Sequence, residues 1–189
     1  MKFIDRDLAW LSFNSRVLEQ AEEASLPTLE RLRFLSIFQS NLDEFYMKRI
    51  SFPRAEAIHN NDQNQLKKMQ DLKVEVQAQL DRAQKTCTLL SNKVLPKENL
   101  NILSWTDLTA EEKKNTQKLF KKNILPVLTP LGVDPGHPFP HISSLSTSLA
   151  VKMTEKNGSR PLFARIKIPK MLSPFIILDR KVNTFSFLP

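Results

Sequence analysis

Pro126, Pro130, Pro135, Pro138 and Pro140 fall within a single short stretch of this chain. Each removes a backbone donor and fixes φ, so neither a helix interior nor a central strand can run through the region. The chain must change architecture there. Upstream, apolar residues recur three and four apart, as on one face of a helix. Downstream they alternate along short runs bounded by turn residues, as in half-buried strands. We therefore expect an α+β fold: an antiparallel helical bundle over residues 1–123, followed by an incomplete α/β head domain that begins with β-strands over 124–189.

In the helical part, Asp7 is placed to cap a first helix reaching about Ala24, with Leu8, Leu11, Val17 and Ala21 on one side. Pro27 then serves as a first-turn residue for Thr28 to Gln39, where Leu29, Leu32, Phe34, Leu35 and Phe38 form a broad apolar face. The pattern breaks at Ser40-Asn41 and resumes with Leu42, Phe45, Tyr46 and Ile50, and Pro53 predicts a kink or a restart. A long amphipathic helix follows on Leu66, Met69, Val76, Leu80, Ala83, Cys87, Leu90 and Val94, with one polar lapse at Lys73, and Pro96 closes it. Thr109 with Glu112 reads as a capping box opening a helix to about Asn123. In the second part, 148–154, 162–168, 174–178 and 184–188 read as strands, the first two joined by a turn at 156–159. This is too little chain to close a sheet and cover its edges, so a longer parent protein is expected.

The chemistry is bounded by what is scarce. With 3 glycines in 189 residues there is no glycine-rich phosphate loop, so a nucleotide would have to be held another way. The single cysteine, Cys87, excludes a disulfide framework and sits in an apolar register that predicts a buried thiol; a reducing cytoplasm fits. His59, His137 and His141 lack metal-ligand spacing, so no metal site is expected among them. Asp43 and Glu44 are neighbours and would point about 100° apart on a helix, which rules them out as a facing acid–base pair. No secretory leader or membrane-spanning run is evident. The 28 Lys and Arg against 20 Asp and Glu give a net charge of +8, which favours a polyanionic partner.

Asn41 carries two readings. With Glu44 three residues on, it can be the cap of a new helix in a second capping box. Its amide, which both donates and accepts, also suits a base edge or a ribose hydroxyl. Arg31, Arg33, Lys48, Arg49 and Arg54 flank it and could draw in an anion, while Phe38, Phe45 and Tyr46 offer rings for stacking or for core packing.

Asp7-Leu-Ala-Trp-Leu-Ser-Phe-Asn14 with Arg16-Val-Leu18, then Leu29-Glu-Arg-Leu-Arg-Phe-Leu35 and Ser40-Asn-Leu-Asp-Glu-Phe45, resemble in order and spacing the amino-terminal region of the polyphosphate kinase family. The run from Leu128 to Pro140, with Ile142-Ser-Ser-Leu-Ser146, resembles that family's entry into its head domain. Ala9, Gly136 and His141 depart from residues frequent in the family, and none of the three is a catalytic group. The resemblance implies a helical N domain and a dimerising head domain. It also implies an enzyme that passes the terminal phosphate of ATP reversibly to inorganic polyphosphate through a phosphohistidine. The phosphoacceptor histidine and the ligands for Mg2+ are expected outside these residues, so no catalytic residue is assigned and the 189-residue chain alone is expected to be inactive. Asn41 becomes the expected ATP contact, on the adenine side. ATP, ADP and polyphosphate are the implied partners, with a cytoplasmic homo-oligomer, peripheral membrane association left open and no nucleic acid. The rival from the residues alone is a non-catalytic basic helical adaptor that binds RNA or a protein.

Overall fold

The structure is a computed structural model that describes residues 5–134, 136–154, 161–181 and 184–188. It divides into two compact units, residues 1–101 and 102–189, and the fold is α+β.

The first unit is built on three long helices. Helix α1 (Arg6–Glu22) starts at Asp5, whose carboxylate accepts from the backbone N–H of Asp7 at 2.9 Å and of Leu8 at 3.2 Å. Asp7, expected as the cap, is instead buried inside the first turn. Helix α2 (Thr28–Phe45) returns along α1, since Arg31 meets Ala21 while Asn14 meets Phe38 and Asn41. A short helix α3 (Ser51–His59) leads to α4 (Gln63–Leu89), which runs in the direction of α1: Asp7 meets Lys68, and Leu11 meets Gln79. The result is an up-down-up bundle. Its core joins Leu11, Leu18 and Ala21 of α1, Phe38, Leu42 and Phe45 of α2, and Leu72 and Val76 of α4. Full burial of each large side chain there contributes about 1.5–3 kcal/mol.

The expected interruption at Ser40-Asn41 does not occur, because α2 is continuous to Phe45 and Asn41 caps nothing. Phe38, Leu42 and Phe45 keep one inward stripe across the suspected break, and their burial outweighs the local preference of Ser and Asn for helix ends. The widening comes later, as a π-helical turn at Tyr46–Ile50 ahead of Pro53. In α4 the inward positions are Leu72, Val76, Gln79 and Thr86, so the stripe passes through Leu72 and the lapse at Lys73 disappears. Cys87, expected in the core, is exposed because Thr86 takes the inward position beside it.

Short β1 (Leu100–Ile102) lies where the chain passes between units. In the second unit, α5 (Ala110–Leu119) opens with the expected Thr109–Glu112 capping box. Strand β2 (Pro130–Val133), not anticipated in the proline-rich stretch, pairs antiparallel with β4 (Pro161–Lys167), which also pairs antiparallel with β3 (Ser148–Thr154). The order β2-β4-β3 leaves Pro130 on an edge strand, the place a sheet tolerates proline. Strands β5 (Ile176–Lys181) and β6 (Thr184–Leu188) form a further antiparallel pair. The turn expected at 156–159 lies outside the described residues.

Candidate functional site

Asn41 lies on α2 one turn before Phe45 and faces α1. Its Nδ2 donates to Asn14 Oδ1 at 3.0 Å, and Asn14 Nδ2 donates in turn to the backbone carbonyl of Phe38 at 3.3 Å. The direction of this relay is fixed at its inner end. A carbonyl can only accept, so the fully buried Asn14 must turn its NH2 toward Phe38 and its oxygen toward Asn41. Asn41 must then offer its NH2 inward, and its own carbonyl oxygen has no partner among the described residues. Asn41 is half-buried, so solvent reaches it. What this arrangement presents is a braced acceptor, with Ile37, 38% exposed, one turn before it and the exposed Glu44–Lys48 pair on the turns after it.

The aromatic residues divide by burial. Phe38 and Phe45 belong to the core, and Phe45 stacks on Trp10 with ring centres 4.6 Å apart and planes 15° apart. Tyr46, 38% exposed, meets Phe45 edge-on and keeps an open ring surface.

Most of the flanking charge is already matched. Arg31 is buried and donates to the carbonyls of Ala21 and Glu22. Arg33 pairs with Glu30 at 3.5 Å and Lys48 with Glu44 at 2.6 Å, while Gln39 donates to Asp43 at 3.2 Å. Arg49 stands 3.5 Å from Asp7. The side chain of Arg54 lies outside what the structure describes. These pairings, rather than a free basic face, occupy the cations that the sequence placed around Asn41.

Sequence reasoning missed a second cluster at the start of α1. Lys68 on α4 bridges Asp5 at 2.9 Å and Asp7 at 3.0 Å, and the two hydrogen bonds it donates, first that to Asp5 and then that to Asp7, raise its pKa. The Lys68 bond is also the first cause of the lowered pKa of Asp5. The signal was present in Asp5 and Asp7 two residues apart, but their partner lies more than sixty residues away.

His59 ends α3 and is exposed, and so is His141. His137 Nδ1 sits 3.1 Å from both carboxylate oxygens of Asp134, inside a turn that Asp134 also holds through the N–H groups of Gly136 and His137. Among the described residues, no three His, Cys, Asp or Glu side chains are grouped to hold a metal ion, and no helix is long and apolar enough to cross a membrane.

Two family models with overlapping spans match the chain. The family model for the polyphosphate kinase N-terminal domain matches residues 3–134, and that for the polyphosphate kinase middle domain matches 111–189. A polyphosphate kinase of Mycobacterium marinum is 37% identical over 188 residues, covering 94% of this chain and 25% of the relative. One from Streptomyces coelicolor is 39% identical over 181 residues, covering 93% and 24%. The crystal structure of polyphosphate kinase from Porphyromonas gingivalis superposes with a TM-score of 0.82 at 26% identity, over 100% of this chain and 28% of that one. The chain thus spans about a quarter of the length of the curated relatives it matches.

Proposed function

Because this chain belongs to the polyphosphate kinase family, we propose that it is the part of such an enzyme that receives the adenine end of ATP. The complete enzyme would move the terminal phosphate of ATP reversibly onto inorganic polyphosphate through a phosphohistidine. We assign that histidine and the Mg2+ ligands to residues beyond those described here. We assign the helical role to residues 1–123 and the head-domain role, including a share of a homo-oligomer contact, to 124–189. That division falls within the stretch 111–134 matched by both family models.

The observation that carries the reading is the one-way relay from Phe38 through Asn14 to Asn41. It leaves an outward acceptor, and the complement of an acceptor is an N–H donor. The exocyclic amine of adenine is such a donor, whereas guanine carries an acceptor at the equivalent position. Ile37, one turn before Asn41, adds exposed apolar surface against which a flat base can rest. In this role the chain binds and orients, and holds the base so that the phosphates are presented elsewhere.

In the complete enzyme, Asn41→Ala is expected to raise the KM for ATP by roughly 2- to 12-fold, as loss of one hydrogen bond of about 0.5–1.5 kcal/mol requires, with a smaller effect on kcat. Asn41→Asp keeps an acceptor but loses the inward donor, so it should retain more affinity than Ala while melting at a lower temperature. A KM for ATP unchanged in both variants returns Asn41 to a packing role.

A further inference from the structure

Helices α2 and α4 both pack on α1, and the seam between them stays open. A cavity of about 350 Å³ opens at one end, over Leu35, Leu80 and Ala83, and one of about 390 Å³ at the other, over Tyr46 and Met69. On α4 the seam reaches from Leu66 to Cys87, a length of about 32 Å at 1.5 Å per residue.

The lining is unlike a solvated helix face. Charged residues make up 25% of this chain, yet Lys73 is the one charged residue lining either cavity, and the other polar groups come chiefly from Ser36, Gln39, Gln70 and Gln84. The charges of α4 gather elsewhere on it, at Lys67, Asp71, Asp81 and Lys85, all exposed. An apolar floor depleted of charge, with a neutral polar rim, is the make-up of a protein interface. Between the two cavities α2 carries Asp43, one turn after Gln39 and one turn before Tyr46. Asp43 accepts from Gln39 at 3.2 Å and has no ion pair among the described residues, and neither has Lys73. Tyr46 and Lys73 line the same cavity, so the two opposite charges stand within about one turn of each other in height, on antiparallel helices across the seam.

We propose that this seam is an interface with a second copy of the chain, related by a two-fold axis lying along the groove. Such an axis places α4 of each copy over α2 of the other, so every neighbouring pair is antiparallel, as in an up-down four-helix bundle. It also preserves height, which brings Lys73 of each copy to Asp43 of the other. A foreign helix would have to carry the matching charges, whereas a second copy supplies them by symmetry. Two helices, each about 10 Å wide, cover roughly 640 Å² per copy over this length, and roughly 1,300 Å² in all is within the range of stable interfaces. The seam uses neither Asn14 nor Asn41 and lies outside the homo-oligomer contact assigned to 124–189, so it stands or falls separately from both.

The test is sedimentation velocity on the purified 189-residue chain, with reversible dimerisation expected at concentrations up to about 100 µM. Lys73→Asp alone sets acid against acid at both symmetric contacts, and Asp43→Lys alone sets base against base. Each should raise the dimer Kd at least about tenfold, while circular dichroism shows the helices retained. Lys73→Gln, which removes the charge without reversing it, should weaken the dimer less than Lys73→Asp. An equimolar mixture of Lys73→Asp and Asp43→Lys should associate again, because the mixed dimer restores opposite charges at both contacts. A chain that stays monomeric overturns the proposal. So does a dimer indifferent to both reversals, whose contact lies elsewhere, and so does a mixture no stronger than its parts.

Discussion

Arg31 places its guanidinium beneath the last turn of α1, donating from Nε to the carbonyl of Ala21 at 2.9 Å and from Nη2 to that of Glu22 at 3.3 Å. Carbonyls at a helix C-terminus have no partner within the helix and carry its negative end, so a buried cation here satisfies both deficits. Arg31→Met would keep the aliphatic bulk and remove both bonds. Its expected cost is about 1.5–3 kcal/mol, read as a lower urea midpoint with an unchanged slope. Arg31 stands seven residues before Phe38, in line with the inward stripe, whereas Arg33 sits on the surface beside Glu30. Charge is legible in a sequence, but which carbonyl a guanidinium reaches depends on how α2 folds back on α1. Asn41 shows the same limit from the other side. Its residue type was legible as a candidate contact, whereas the brace that fixes its polarity is Asn14, twenty-seven positions earlier.

At the scale of elements, α5 is tied to β5 through Glu112. That carboxylate accepts from the Thr109 N–H at 2.8 Å, closing the capping box, and from Arg180 at 2.6 and 2.8 Å. The Arg180 bonds, with the Thr109 backbone bond next, hold the Glu112 pKa down to about 2 from an ordinary 4.5. A carboxylate whose pKa is lower folded than unfolded stabilises the fold fully above the unfolded value. That contribution fades as pH falls from about 4.5 towards 2. Acid melts followed at residues of α5 should therefore steepen across this window, and Glu112→Gln should flatten them. The Thr109–Glu112 box was readable because it is local and solvent-facing. The same grammar at Asn41–Glu44 failed because Leu42 and Phe45 are drawn into the core. Pro53 reads as a kink or restart, Pro96 as a stop and Pro126 as part of the transition, and all three act on the turn before them. The π-helical turns at Tyr46–Ile50, Leu90–Val94 and Phe120–Ile124 each precede a proline, Pro53, Pro96 and Pro126. The missing N–H and the bulk of the ring disturb the turn before them, and a single widened turn absorbs the mismatch. Alternation revealed β3 and β4, whereas β2 has only four residues, including a proline and a glycine, and becomes a strand only by pairing with β4.

Over the whole molecule, burial is unequal between the two units. The first holds a contiguous cluster of eight buried apolar side chains drawn from α1, α2 and α4. In the second, the buried apolar residues among those described are Leu108 and Ala164, while Leu131, Leu149, Met153, Leu162 and Ile177 remain exposed. Hydrogen exchange on this chain should show amides of α1, α2 and the middle of α4 protected far longer than those of β3 and β4, and a hydrophobic dye should bind before the helices melt. Equal protection in both units would contradict this. The amide that faces the nucleotide in our reading thus belongs to the firmer unit, and its polarity is dictated from Phe38 by a main-chain carbonyl. No codon change can turn a carbonyl into a donor. A lineage that needed Asn41 to present a donor would have to replace Asn14 as well, passing through an intermediate with two groups in conflict. Asn14 and Asn41 are therefore expected to persist or change together across descendants even as the surface around them diverges.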